Sequence, residues 1–330
     1  MKTNFINRLK KNYSKTQKIL TSNEIGYHWS FVNKRKQLFN EKKLNNFLNN
    51  DLGYGLSRRD ANINKRKLLN ICIKKNKSFT LTRLTKKNIG NFKKPLIYKK
   101  RFCNNNNLHY IDWLLEINKF IKKKKIKNIL EIGGGYGGLS QILINNLNAK
   151  YFLIDLPETN VLSSFYLKKN FPKKKLLLSE EFNSKNTEEI IKKNDIFILT
   201  PNKLRKLKIN FDLIINTRSM MEMKKKTIKE YFDYIQKNIS KDGIFLNINR
   251  YFSYHSGEQN FLANYPYDEN WKILKSKATN FEKHIHLFLT KRINHKNNKF
   301  KGELKKLKLD EFKPTLIQII NNLKKKILSK

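Results

Sequence analysis

Between Leu108 and Leu289, short unbroken apolar runs alternate with longer stretches in which apolar residues recur every three or four positions. Leu108, Ile111, Leu114, Leu115, Ile117, Phe120 and Ile121 mark one face of a helix, followed by the basic stretch Lys122–Lys125. Strands are predicted at Ile129–Ile132, Phe152–Ile154, Ile196–Leu199, Phe211–Ile215 and Gly243–Ile248. Between them, helical spacing is found at Leu139–Leu147, Glu158–Leu167, Thr187–Lys193 and Thr227–Ile239. Strands that are apolar throughout have no solvent face, so the alternation predicts a parallel sheet covered by helices on both sides. After the fifth strand come a polar, aromatic stretch (Arg250–Trp271) and two further candidate strands, Lys272–Leu274 and His286–Leu289.

The flanks read differently. Residues 1–107 are rich in Lys and Asn and show no sustained strand alternation. Arg35–Leu48 has helical spacing, Leu52–Leu56 reads as a turn, and the polar run Asn104–Asn107 suggests a break between units. The pattern predicts a helical cap or oligomerisation region over 1–107, an α/β domain over 108–292, and a basic tail over 293–330 that ends in an amphipathic helix near Leu316–Leu328. No internal repeat is evident.

Length and composition narrow the picture. The 330 residues are enough to bury a full core. No segment approaches the roughly 18–20 apolar residues of a membrane span. The basic N-terminus lacks the apolar stretch of a signal peptide, so a cytoplasmic protein is expected. Cys72 and Cys103 have neither metal-ligand nor disulfide-framework spacing and read as ordinary thiols. The formal net charge is +45, a field that attracts nucleic acid, phosphates and acidic membrane surfaces. Yet only 11 of the 71 basic residues are Arg, the residue whose planar fork reads phosphate. Lys is enriched together with Asn, Ile, Phe and Tyr, all with AT-rich codons, and the excess reads as codon bias on solvated positions.

The candidate chemistry begins at Ile129-Leu130-Glu131-Ile132-Gly133-Gly134-Gly135-Tyr136-Gly137-Gly138-Leu139. A buried strand here runs through a glycine turn into a helix. Gly133, Gly135 and Gly137 allow a tight turn and close approach of the backbone to a ligand, and the helix N-terminus aims free N–H groups at it. Gly133, Gly135 and Gly138 also satisfy the dinucleotide pattern G-x-G-x-x-G. Glu131 argues for S-adenosylmethionine instead, since a carboxylate there attracts an ammonium group and repels a pyrophosphate. Asp155, closing the second strand, is placed to accept hydrogen bonds from two ribose hydroxyls of either cofactor. The two late strands are consistent with the extra hairpin of methyltransferases.

The blocks EIGGGYGGLSQIL, YFLIDLPETNVLSSFYL and FDLIINTRSMMEM resemble the sugar O-methyltransferases found in bacterial surface-polysaccharide gene sets. The resemblance covers roughly Leu130 to Tyr251. The first block is specific only to the S-adenosylmethionine-dependent class I superfamily, and the later two carry the narrower match. It implies a three-layer Rossmann-like α/β sheet with S-adenosylmethionine as cofactor. Glu131, Gly133, Gly134, Gly135, Tyr136 and Gly137 would line the methionine and ribose side, Asp155 would hold the ribose, Leu156 would pack on adenine, and Asn216 would lie by the transferred methyl. Family members often carry an acidic or small residue where this chain has Arg218, a departure that favours an anionic sugar.

Transfer to a hydroxyl needs an aligned acceptor and a proton acceptor. Ligands of open α/β sheets bind beyond the carboxyl ends of the strands, which selects the segments after strands four and five. These hold two candidate bases, Glu222 and His255, and three candidate acceptor-binding residues, Arg218, Arg250 and Tyr251. An exposed loop histidine or a carboxylate at a helix start would look the same in sequence. His109 is a lesser candidate near the cofactor, and His284 and His286 read as structural. No metal site is expected. The expected activity is O-methylation of a sugar hydroxyl in a nucleotide-sugar, lipid-linked or polymeric glycan.

Three other readings stay open at this stage: an RNA methyltransferase, a non-catalytic basic cofactor-binding scaffold with peripheral membrane contact, and an NAD-dependent enzyme. Asn216-Thr217-Arg218-Ser219 lacks the prolines of amino-methylating enzymes that act on bases, and neither thiol lies where pyrimidine carbon methylation needs one. Nucleic acid is therefore the less favoured partner. An oligomer is compatible with the sequence.

Overall fold

The computed structural model describes residues 2–18, 37–53, 56, 69–70, 72–73, 83–93 and 95–307. The helix expected near Leu316–Leu328 and part of the patch at Arg35–Leu48 lie outside these residues.

The predicted alternation is realised in one eight-stranded sheet. Its parallel part comprises β3 (Asn128–Ile132), β4 (Lys150–Ile154), β5 (Leu176–Leu178), β6 (Ile196–Leu199), β7 (Phe211–Thr217) and β8 (Ile239–Arg250). The strands lie in the order β5-β6-β4-β3-β7-β8-β12-β11, with β12 (Ile285–Arg292) antiparallel to β8 and β11 (Trp271–Ala278) antiparallel to β12. The late hairpin is thus present and continues the sheet. Two short strands earlier in the chain, β1 (Leu96–Tyr98) and β2 (Arg101–Cys103), pair with each other. Strand β5 has no counterpart in the predicted set: three leucines beside three lysines give too short a run to stand out.

Period-two geometry sends alternate strand residues to opposite faces. Ile129, Tyr151, Leu153, Ile196, Ile198, Leu213 and Ile215 enter one apolar cluster with the helices α3 (Asn105–Ile121), α4 (Gly138–Asn146) and α5 (Pro157–Asn170). Leu130, Ile132, Phe152, Phe197, Ile214 and Phe245 enter another, beneath α8 (Lys225–Asn238) and the helical residues 300–307. Phe152 and Phe197 stack across β4 and β6 with centroids 4.2 Å apart. The molecule is therefore the expected three-layer Rossmann-like α/β structure. Among the described residues, no helix is long and apolar enough to cross a membrane.

One feature of the flanks departs from the pattern-based reading. The run Asn104–Asn107 opens α3 and is buried. The Asn104 side chain accepts from the Asn107 amide at 2.8 Å and the Asn107 side chain from the Asn104 amide at 3.0 Å, a reciprocal cap. Polarity here serves helix initiation, which a count of polar residues reads as a break. The first helix, α1 (Lys2–Thr16), docks on the sheet edge: Arg8 pairs with Glu181 and donates to the Leu176 carbonyl at 2.7 Å, and Tyr13 donates to Glu158 at 3.2 Å. An edge strand with an open carbonyl is thereby covered. Leu9, Leu44, Phe47 and Leu48 join the same cluster as α3, α4 and α5.

Candidate functional site

A cleft of about 1200 Å³, its open mouth included, lies beyond the carboxyl ends of β3, β4 and β7. Of the residues singled out in sequence, His109, Gly133, Gly134, Gly135, Tyr136, Asp155, Leu156, Arg218 and Glu222 line it. Glu131, Gly137, Asn216, Arg250, Tyr251 and His255 do not.

The glycine turn forms the floor. Gly133 has φ +73°, and a Cβ there would lie 2.0 Å from the Ser219 hydroxyl oxygen, so no side chain fits. At Gly135 (φ +58°) a Cβ would meet only Leu56, at 3.7 Å: its surroundings are open cleft. The Gly135 amide donates to Asp155 Oδ2 at 2.8 Å, and the Leu156 amide donates to Oδ1 at 2.7 Å. Asp155 thus ties the turn to the end of β4 and leaves further acceptor capacity facing the cleft. Tyr136, with its ring against Phe47 and Tyr166, accepts from the Asn104 side chain at 3.2 Å, which links the turn to the start of α3.

Glu131 lies behind this floor. It is 1% exposed, and one carboxylate oxygen accepts from Ser140 at 2.5 Å and Tyr151 at 2.6 Å. Burial raises its pKa from 4.5 to about 7. Asn216, fully buried, is a strut. Its amide nitrogen donates to the Ile132 carbonyl at 2.8 Å and to Ser219 at 2.5 Å, while its oxygen accepts from the Met220 amide at 3.2 Å and Asn249 at 2.8 Å. These bonds hold the turn Met220–Glu222 that carries Glu222 into the cleft.

The segment after β8 behaves differently from expectation. His255 sits beyond β9 (Phe252–Ser253), with Nδ1 2.9 Å from the Ser253 hydroxyl. Tyr251 is turned into the core, where its hydroxyl lies 2.8 Å from His286 Nδ1. His286 is also bonded to Ser276 at 2.9 Å, and burial lowers its pKa to about 3. Arg250 lies outside the lining, its pKa lowered first by burial and next by Arg218. A loop position gives no hint of such inward turns, because they depend on where the late hairpin packs.

On the opposite wall the lesser sequence candidate His109 is joined by two residues the sequence did not single out, Tyr110 and Trp113. Helix α3 presents His109, Tyr110 and Trp113 to the cleft. His109 is 1% exposed, lies between the rings of Trp113 and Phe281 (centroids 5.9 Å from each), and has no hydrogen-bond partner on either ring nitrogen among the described residues. Its Nδ1 is 3.9 Å from Glu282 Oε2. Burial lowers its pKa, with Glu282 acting in opposition. Glu282 is held in turn by Arg218, whose Nη1 lies 3.1 and 3.2 Å from the two carboxylate oxygens. For Trp113 the available signal was its i, i+4 spacing from His109, which also fits a core face.

Arg218 adopts φ +60°, an uncommon conformation for a residue with a side chain. Its amide donates to the Ile248 carbonyl at 2.7 Å, which holds the turn. Among the described residues, no group of three or more His, Cys, Asp and Glu side chains could hold a metal ion. Cys72 and Cys103 are buried, form no disulfide and do not line the cleft, and the Cys72 thiol donates to the Leu108 carbonyl at 3.6 Å.

No protein-family model matches the chain, and no curated protein matches it in sequence. Solved structures similar to it include mitomycin 7-O-methyltransferase MmcR, at 11% identity and TM-score 0.36, covering 51% of this chain and 49% of that one. The magnesium protoporphyrin IX methyltransferase of Synechocystis with bound SAH matches at 10% identity and TM-score 0.38, covering 57% of this chain and 83% of that one. The N-methyltransferase NodS of Bradyrhizobium japonicum, in complex with S-adenosyl-L-homocysteine, matches at 12% identity and TM-score 0.39, covering 57% of this chain and 86% of that one. The chain spans about half the length of MmcR and of the pyocyanin biosynthetic protein PhzM, 49% and 53%. The functional reading therefore stands on the cleft itself.

Proposed function

We propose that the chain is an S-adenosylmethionine-dependent O-methyltransferase acting on a sugar hydroxyl. The observation that carries this reading is the bond from the Gly135 amide to the Asp155 carboxylate at 2.8 Å. In a dinucleotide site, the amides of such a turn face a pyrophosphate. Here a carboxylate already occupies the amide, and a second anion would be repelled. A cofactor with a ribose and a cationic amino-acid arm suits the same floor.

In this reading, Asp155 accepts the ribose hydroxyls and Leu156 packs on the base. The open space beside Gly135 admits the close approach of the ligand. Glu131 acts from behind the turn through Ser140 and Tyr151, and Asn216 positions Ser219 and the Glu222 turn. When bound, S-adenosylmethionine supplies an electrophilic methyl group. The chain's own residues then orient the acceptor, exclude water and accept a proton. Tyr110, Trp113 and Tyr231 give the acceptor side aromatic faces suited to a sugar ring, and Arg218 gives it a positive charge suited to an anionic sugar. Glu222 is the carboxylate of this wall. A cytoplasmic setting belongs to the same reading.

Calorimetric titration with S-adenosylhomocysteine, with NAD run in parallel, tests it. Saturable binding of the first alone is expected, and Asp155→Ala should weaken it by roughly tenfold or more, the scale of a lost charge-assisted hydrogen bond. Binding of NAD alone, or of neither, would remove the assignment.

A further inference from the structure

We propose that His109 is the group that takes the proton from the acceptor hydroxyl, with Glu282 holding its ring in the receptive tautomer. This rests on the methyltransferase reading and goes beyond it in naming the base and the residue that orients it.

The geometry begins with a buried imidazole that nothing satisfies. Both ring nitrogens of His109 are without partners among the described residues, although the side chain forms part of the cleft wall. Leaving a buried polar group unpaired is costly, so such groups are uncommon, and one in a cleft wall marks a place where a ligand can complete the bonding. The rings of Trp113 and Phe281 hold the imidazole from two sides. Nδ1 faces Glu282 at 3.9 Å, beyond hydrogen-bond length but within ion-pair reach. The carboxylate favours the tautomer with hydrogen on Nδ1, which leaves the Nε2 lone pair free.

Glu282 does not float. Arg218 grips it from the segment after β7, and Thr279 accepts from its amide at 3.3 Å. Asn280, two residues earlier, is anchored to Asp112 on α3 at 2.8 and 2.9 Å. Around this pair stand Glu222, Arg250 and His284, and Asp112 on His109's own helix is engaged by Asn280. Burial alone would keep the imidazole neutral, the form that can accept a proton, and the carboxylate stabilises the cation once formed.

The step balances. The acceptor oxygen bonds to the methyl carbon as the carbon–sulfur bond breaks, and the bonding pair goes to sulfur, whose positive charge is cancelled. The hydroxyl proton passes to Nε2 of His109, and the new imidazolium faces Glu282. On release, the proton returns to water.

The test uses the full chain labelled at histidine Cε1 and titrated by NMR, free and saturated with S-adenosylhomocysteine. One resonance, absent from His109→Gln, should titrate below the ordinary 6.5. In Glu282→Gln its midpoint should fall further, the effect of removing a nearby opposite charge. Both variants should bind S-adenosylhomocysteine within about twofold of wild type, since neither residue holds the cofactor. With labelled S-adenosylmethionine and a panel of methyl glycosides and nucleotide-sugars, His109→Gln should lose about 100-fold or more in kcat with little change in KM. The rising limb of the pH–rate profile should move with the resonance in Glu282→Gln. Should His109→Gln fail to fold, the resonance is assigned by its contacts to the Trp113 and Phe281 rings, and Glu282→Gln carries the test. A resonance indifferent to Glu282→Gln, or wild-type turnover by His109→Gln, overturns the proposal. Failure of wild type to bind S-adenosylhomocysteine overturns the methyltransferase reading instead.

Discussion

At Glu131 a carboxyl group lies between the hydroxyls of Ser140 and Tyr151, out of reach of water. Its folded pKa, about 7 against an ordinary 4.5, means that the folded chain binds an extra proton between those values. Stability from this group is full below about 4.5 and is lost as pH rises through 7, by on the order of 3 kcal/mol. His286 slopes the other way: with its pKa lowered to about 3, its contribution is present above 6.5 and lost as pH falls towards 3. It is common to wild type and Glu131→Gln, so it cancels in their difference. Urea unfolding of both proteins from pH 4.5 to 8 should show wild type losing ground to the variant as pH rises. Parallel curves would mean that the carboxylate is already ionised at low pH.

At the scale of elements, the start of α3 does two jobs. Asn104 caps the helix and also donates to Tyr136 of the glycine turn. Removal of a capping side chain costs about 0.5–2 kcal/mol. Asn104→Ala should therefore lower the urea midpoint by an amount in that range at unchanged m, and Asn104→Ser, which keeps a capping oxygen, should recover most of it. An unaltered midpoint in Asn104→Ala would show that Asn107 and the buried surroundings hold the helix start without it. The same helix carries His109 and Trp113 in its second and third turns, so the cap sets the height of the cleft wall. The β11–β12 connection docks on the same helix through Asn280 on Asp112, and Lys275 of β11 pairs with Glu116.

For the whole molecule, the excess of 71 basic over 26 acidic residues is the largest long-range force present. Like charges at this density oppose compaction, and salt screens them within about 10 Å at 0.1 M. The thermal midpoint should rise between about 20 and 300 mM NaCl, the opposite of what loss of surface ion pairs alone would give. A falling midpoint would mean that pairs such as Arg205–Glu230 and Lys291–Asp242 outweigh the general repulsion.

The alternation of apolar runs and helical spacing was enough to predict the layered sheet, its late hairpin and the glycine turn, because burial on both faces writes itself into local periodicity. The place of Asp155 at the cleft was legible for a related reason: a strand end is a local feature, and the fold brings strand ends together at one edge of the sheet; Leu156 came only from the family resemblance. The wall opposite the glycine turn was legible only in part: Arg218, Glu222 and His109 stand out in the sequence, whereas Tyr110, Trp113 and Tyr231 do not. The meeting of His109 with Glu282, 173 residues away, is set only when the β11–β12 connection docks on α3. His255 and Tyr251, promising in order of residues, turn towards Ser253 and His286. Asn104–Asn107, polar enough to suggest a break, is buried as a cap. In each case the deciding quantity is which distant group satisfies a polar atom. Periodicity records only whether a side chain faces inward, and the partner it meets there is set by the packing of elements far apart in the chain.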